Sequence, residues 1–341
     1  MPTTLPQLTQ DLDNDFVTTW YEIRPDAMDN ILNATVIWAA LVGAGAMKEQ
    51  VGSELITRTI KYATATAVDV AEGDTLPQGE TESETMAIWR WRYTAGHVQR
   101  NIYKDQQNNG PSKIKSYIGQ RLDDAMNALE QKYEANLVNP IDTAETAKTM
   151  QGLNDLVPPV ASRTTGTYGG IARPSTYTDS GNGVFVGSGT NSWWGPKYLA
   201  GTLASVEDDI LTDMKKLYNS LHNNQVPPNL IIVTQDIYEL YEEFGLDVTQ
   251  IIKDEGTRLM DLGFEVQRFK GKPMIWSPGI DANNVLMLNT DFIEIVYDPN
   301  LWFDMTDWKP IPLEAERIAH ILCCANMISD QLRRHGRLTY S

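Results

Sequence analysis

Four histidines, two adjacent cysteines and two adjacent tryptophans are the residues of this chain from which chemistry could most readily be built. His97, His222, His320 and His335 lie far apart and none falls in the HExxH spacing that sets two imidazoles one helical turn apart on a zinc ion. His320 with Cys323 and Cys324 offers the right ligand types. Adjacent cysteines, however, cannot both reach one tetrahedral ion without strain, so neither a metal nor a cofactor is expected. The two thiols read instead as small buried side chains on opposite faces of a strand. The glycines of GNGVFVGSGT (Gly181 to Thr190) lack the Lys-Ser/Thr of a phosphate loop and do not open a helix as a dinucleotide fingerprint must. No GxSxG elbow is present. Two carboxylates beside Trp193 and Trp194 would suit a glycosidase or a sugar-binding platform, but acidic residues are so plentiful that no pair stands out. Glu314 and Glu316 share a strand face and read as ion-pair partners of Arg317, Lys309 or a neighbouring chain. Arg333, Arg334, His335 and Arg337 form the one basic cluster, suited to phosphate or to carboxylates of the same or an adjoining subunit. No catalytic residue is expected.

The whole composition narrows the classes further. With 341 residues, 42% of them hydrophobic, the chain can bury a large core or two smaller ones. A formal charge of -17 argues against a basic nucleic-acid face and against attraction to anionic lipid. Only two cysteines, side by side, leave no disulfide framework and favour a reducing compartment. The first twenty residues carry no Lys or Arg and place Asp11, Asp13 and Asp15 where a signal peptide would be basic, so secretion is not expected. The uncharged run Ile31 to Met47 falls short of a membrane span and includes Asn33, Thr35 and two glycines, which predicts a helix buried or covered by a partner.

The elements that would position these residues follow from periodicity. An extended acidic arm leads into that apolar helix. Two β-rich runs, about Leu55 to Val70 and Met86 to Val98, flank a polar acidic tip and predict a long hairpin. In its second run, alternation puts Trp89, Trp91 and Tyr93 on one face and Arg90 and Arg92 on the other. Such an aromatic face needs a cover from elsewhere. Pro111 opens a helix with Ile114, Ile118, Leu122, Met126, Leu129 and Tyr133 on one side; continued to Leu137, it is a spine about 40 Å long. After a Gly/Ser/Thr-rich stretch, Ser205 and Asp208 suggest a capping box, and Ile210, Met214, Leu217 and Leu221 mark a helix face. Next come the strand NLIIVT, a helix capped by Thr234, the strands FEVQRF and PMIWS about a KGK turn, and the strands VLMLN and FIEIVYD. LEAERIAHILCCANMI reads as a long strand and RRHGRLTYS as a basic tail. An arm, a long hairpin, a spine and an α/β lobe cannot cover themselves, which predicts a subunit that assembles with many identical copies.

The order of certain segments also resembles the major capsid proteins of tailed bacteriophages, built on the coat-protein fold often called the HK-ninety-seven fold. GLNDLVP (Gly152 to Pro158) is followed by TYGGIAR (Thr167 to Arg173) and Trp193-Trp194-Gly195-Pro196. FKGKPMIWSP (Phe269 to Pro278), LNTDFIEI (Leu288 to Ile295) and CCANMISDQLRRHGRLT come after them. The resemblance spans nearly the whole chain and implies an α+β fold in four parts: an N-terminal arm (1–50), an extended hairpin loop (51–100), a peripheral domain (101–199 and 300–341, with the spine helix 111–137) and an axial domain (200–299). It further implies a structural subunit, not an enzyme, that forms pentamers and hexamers of an icosahedral shell around double-stranded DNA. Expected partners are other copies, scaffold and portal proteins, decoration proteins, and DNA on the inner face without sequence specificity, with no membrane. The expected location is the virion, after synthesis in the host bacterial cytoplasm. Trp89, Trp91, Tyr93, Arg90, Arg92, Trp193, Trp194, Arg333 and Arg334 are the subunit-interface candidates. Some members of the family crosslink through a Lys and an Asn; Lys61 lies on the hairpin but nothing marks its partners, and no crosslink is expected. The alternatives are a carbohydrate-active enzyme or sugar-binding module using Trp193 and Trp194, and a tail or baseplate structural protein.

Overall fold

The computed structural model describes residues 36–64, 67–71, 82–101, 124–129, 131–222, 226–248, 267–312 and 314–341. The described residues open with α1 (Val36–Gly43), whose Ile37, Trp38, Ala39, Ala40 and Leu41 are all buried, and continue into β1 (Met47–Glu49). The hairpin strands β2 (Leu55–Lys61) and β3 (Glu84–Arg90) pair over seven residues, and β4 (Tyr93–Asn101) follows after a break at Trp91 and Arg92. Residues 124–129 and 131–137 are helical, the described part of the predicted spine; its first turns lie outside the described residues, as does most of the predicted arm.

A single helical turn at Leu153–Leu156 leads to the short strands β5 (Thr167–Tyr168) and β6 (Ile171–Ala172), then β7 (Thr176–Asp179), β8 (Val184–Ser188) and β9 (Lys197–Gly201). Next come α2 (Val206–Leu221), β10 (Leu230–Val233), α3 (Gln235–Val248), β11 (Gln267–Phe269), β12 (Lys272–Trp276), β13 (Asn284–Leu288) and β14 (Ile293–Tyr297). The last strands are β15 (Asp304–Met305), β16 (Lys309–Pro310), β17 (Glu316–Ser329) and β18 (Gly336–Tyr340).

Two large sheets carry the fold. The eight-stranded sheet runs β11-β12-β10-β13-β18-β9-β8-β7. Its runs Leu230–Val233 and Val285–Leu288 are apolar throughout and wholly buried, as a sheet covered on both faces requires. Ile231, Val233, Val285 and Met287 pack with α2, whereas Leu230, Ile232, Leu286 and Leu288 face the second core. That core also contains α1, the inner face of the hairpin, the helical residues 124–137 and β17. In the six-stranded sheet, β17 pairs with β14, β15, β16 and β4, and β1 lies parallel to β14.

Several expectations are corrected by these pairings. The stretch RRHGRLTYS is not a solvated tail: β18 inserts between β13 and β9 in the middle of the eight-stranded sheet. The sheet therefore draws strands from both sides of residues 200 and 299. Residues 36–49 belong to the core of their own chain, because Trp38 packs 5.2 Å from Tyr133 and β1 completes a sheet. The Gly-rich stretch 177–190 forms the β7–β8 hairpin, with Asp179 Oδ1 accepting from the N–H groups of Gly181 and Gly183, both in the left-handed region. Neither predicted helix cap forms. Ser205 Oγ donates to the Thr202 carbonyl instead, and Thr234 Oγ1 has no partner among the described residues. The long strand ending in CCANMIS forms as expected, with both cysteines free and buried. Among the described residues no helix is long and apolar enough to cross a membrane.

His335 joins the two sheets. Its Nδ1 accepts from the Asn289 N–H (3.3 Å), just beyond β13, so its Nε2–H donates to Ser329 Oγ at the end of β17 (3.1 Å). Burial pushes the ring down to about 3, far below the ~6.5 of an unfolded chain. The unfolded chain thus takes the proton first. The contribution of this neutral ring is intact above about pH 6.5 and is lost as pH falls toward 3, by up to ~1.4 kcal/mol per pH unit. Denaturant unfolding between pH 7 and 4 should show this slope, and His335→Gln should flatten it while lowering stability at pH 7.

Candidate functional site

The residues singled out from the sequence separate into a buried group and an exposed group. Trp89 is 1% exposed, its ring packed edge-on to Tyr168 at 5.8 Å and pressed against Gly169. Gly169 has φ 61° and a Cβ there would stand 2.8 Å from the Trp89 ring, so the consecutive glycines of TYGGIAR are what let the cover approach. Ile88 N–H donates to the Gly169 carbonyl (2.9 Å), pinning the same contact through the backbone. Trp89 is thus covered by its own chain and is removed from the interface candidates.

Arg92 is likewise buried. It donates to the Glu145 carbonyl (2.9 Å) and lies 3.8 Å from Asp142. Its inward turn, and the 68% exposure of Tyr93, follow from the break between β3 and β4: the strand changes partner from β2 to β17 at that point, and the period-two alternation does not carry across. Trp91 is half-buried with its indole N–H on the Ser53 carbonyl (2.7 Å), and Arg90 points to solvent.

Trp194 is 1% exposed and donates to the Tyr168 carbonyl (2.9 Å), so it cannot form a sugar platform or an interface. Its neighbour Trp193 stacks on Tyr62 at 5.0 Å and 16°, tying the end of the Gly-rich stretch to the hairpin just beyond the tip-side end of β2. Arg333 is exposed, while Arg334 sits 5.5 Å over the Phe292 ring and donates to Gln331 Oε1. Tyr93, Arg90 and Arg333 are therefore the candidates left fully open to a partner, with Trp91, Trp193 and Arg334 partly so.

The motifs of the resemblance converge on a buried polar hub that local sequence patterns did not mark. Arg337, 1% exposed, donates Nε to Asn284 Oδ1 (2.8 Å), Nη1 to Asn154 Oδ1 (2.9 Å) and the Val157 carbonyl (3.1 Å), and Nη2 to Asp281 (2.5 Å). In the same turn, the Asp155 carboxylate accepts from the N–H groups of Gly152 (2.9 Å) and Asp142 (2.7 Å), and its carbonyl accepts from Arg173 Nη2 (2.6 Å). Burial raises the Asp155 pKa, while these two backbone bonds and the Arg173 charge oppose the rise. Asn326 completes the hub, accepting from Gln151 N–H (3.0 Å) and donating to the Arg90 carbonyl (2.9 Å). Gly152 lies so close to the end of the helix 131–137 that a Cβ would meet the Asn136 carbonyl oxygen at 2.5 Å. The polar residues Asn284 and Asn326, each inside an apolar strand, were the available signal.

This arrangement is a scaffold: all three guanidinium nitrogens of Arg337 and both Asp155 carboxylate oxygens are matched by partners of the chain itself. Trp89→Ala should lower the unfolding free energy by about 3–5 kcal/mol, as expected for a core cavity, and Arg337→Met by a similar amount through stranded polar partners. Chemical denaturation of soluble protein checks both.

No protein-family model matches the chain and no curated protein matches it in sequence. Solved structures do match its fold. The capsid asymmetric unit of cyanophage A-1(L) superposes with a TM-score of 0.60 at 15% identity, covering 88% of this chain and 91% of that one. The capsid of a native GTA particle gives 0.53 at 12% identity over 87% and 88%. A chain of Microbacterium phage Oxtober96 gives 0.52 at 9% identity over 88% and 90%. Likeness of this extent at such low identity establishes architecture, and the architecture of this chain is the α+β HK-ninety-seven fold of tailed-phage and GTA major capsid proteins.

Proposed function

We propose that the chain is the structural subunit of an icosahedral shell, assembling with copies of itself into pentamers and hexamers that enclose a double-stranded DNA genome. The single observation that carries this reading is the superposition on the cyanophage capsid subunit, which spans nearly the full length of both chains. The full set of acceptors that the chain gives Arg337 supports a structural rather than a catalytic role, and burial of Trp194 argues against the sugar-platform alternative. In the same reading, scaffold, portal and decoration proteins act during assembly, DNA lies against the inner face, and the mature location is the virion after synthesis in a bacterial cytoplasm. The division into arm, extended loop, peripheral and axial parts belongs to this proposal as well. A charge of -17 suits it, because like charge keeps a high-copy protein soluble and limits adhesion to DNA before packaging.

The face of the hairpin offered to a neighbour is then opposite to the tryptophan face. Met86 (56% exposed) and Ile88 (40% exposed) project from β3 beside Thr57 and Thr59 of β2. Apolar side chains on an open two-stranded ribbon gain by being covered.

Negative-stain microscopy and light scattering of the purified protein test the proposal. Capsomers, shells or sheets are expected, and a monodisperse monomer at high concentration with no particles would overturn it. Replacing Met86 and Ile88 together with Asp should leave the circular dichroism and unfolding midpoint near wild type while reducing particle yield at least tenfold. Normal shells from that variant would remove this face from the interface.

A further inference from the structure

Two of the four histidines meet across a strand pair. The antiparallel register of β4 and β17 places His97 directly opposite His320. Directly opposed residues share a sheet face with Cβ atoms about 4.5–5.5 Å apart. The neighbouring rungs identify that face. Gly96 packs against Leu129, and Val98, Ala319 and Ile321 are buried, so His97 and His320 project from the other side of the sheet. His97 is exposed and His320 partly so. Neither ring makes a hydrogen bond, ion pair or ring contact among the described residues, which leaves their nitrogen lone pairs available. The backbone beneath them is held firmly. His320 N–H donates to Thr306 Oγ1 (3.0 Å), and its carbonyl accepts from Thr306 N–H (2.9 Å), on the edge of β17 away from β4.

We propose that His97 and His320 form a two-imidazole chelate for a divalent transition-metal ion of the copper, nickel and zinc class, with water filling the remaining positions. Metal–nitrogen bonds of about 2.0–2.1 Å put the two donor nitrogens roughly 3 Å apart, a convergence that side chains on facing rungs reach by rotation alone. Because the strands are already fixed, binding orders only two side chains, and the second nitrogen adds affinity that a lone surface histidine lacks. The ligand set selects this class: imidazole suits copper, nickel and zinc, whereas magnesium and calcium seek oxygen. Among the described residues no group of three or more His, Cys, Asp or Glu side chains surrounds a point, so those residues supply two donors here. Cys323 falls on the opposite face from His320. Cys324 shares its face but lies four residues along the strand, about 13 Å away.

The test uses the full chain in whatever assembled state it adopts. Titration calorimetry with Ni2+ should give a site weakened at least tenfold by His97→Gln or His320→Gln, with the double variant no weaker than the weaker single one. His222→Gln, a change at an exposed histidine elsewhere, should leave the affinity unaltered. Copper(II) electron paramagnetic resonance of the unmodified protein should show two coordinated imidazole nitrogens at one equivalent of metal, a readout that needs no variant to fold. Unchanged nickel affinity in both single variants, or a copper spectrum with a single imidazole nitrogen, would overturn the chelate.

Discussion

The guanidinium of Arg337 is the constraint around which this chain is arranged. A cation excluded from water must find its acceptors within the protein, and these come from Asn154 and Val157 in one turn, Asn284 in β13 and Asp281 just before it. Only one of them is charged, and that carboxylate is half exposed, so most of the compensation is by oriented dipoles. Such a set is satisfied in one geometry and in few others. It therefore selects a single arrangement of the turn at 153–156 against the eight-stranded sheet, where apolar packing alone would tolerate several. Gly152 serves the same purpose from below, since no side chain fits between it and the carbonyls ending the helix at 131–137.

The hairpin obeys the hub at one remove. Asn326 holds the Arg90 carbonyl where β3 ends, and Arg58 on β2 reaches Glu294 on β14 at 2.8 Å. These polar contacts fix the root of the ribbon, and the Trp89–Gly169 contact fixes its inner face. Its outer face is left to whatever lies beyond the chain. The division of labour is physical: bulky aromatic surface is used where a covering segment of the same chain is close in space, and modest apolar side chains are placed where the ribbon meets solvent.

Much of the architecture was legible in local patterns. NLIIV, PMIW, VLML and IEIVY form strands where their apolar runs predicted them, because a sheet buried on both faces writes itself as uninterrupted hydrophobic sequence. The helix Val206–Leu221 follows its three-and-four spacing. What was not legible depends on convergence. RRHGRLTYS reads as solvated because three arginines dominate a short stretch, and only distant acceptors make one of them a core residue. Alternation through Trp89, Arg90, Trp91, Arg92 and Tyr93 assumed one continuous strand, whereas the partner changes midway and the facing rule changes with it. Ser205 and Thr234 have the right residue type for caps but spend or leave their hydroxyls elsewhere. The TYTDSGNGVFV stretch carried an ordinary hairpin signal, two β-rich runs about an Asn-Gly turn, that its glycine content obscured.

The position of β18 has a consequence for the order of events during synthesis. The strand at 336–340 is not an edge; it lies between β13 and β9, joining one half of the eight-stranded sheet to the other. Until the ribosome has delivered those residues, β9 and β13 each present an unpaired edge, and the hub lacks its guanidinium. The nascent chain can form α2 and the local hairpins early, but its central pairing spans well over a hundred residues of sequence, from β9 at 197–201 to β18, and is correspondingly slow to close. The eight-stranded sheet thus closes only once residues 336–340 are available, however early its local elements form.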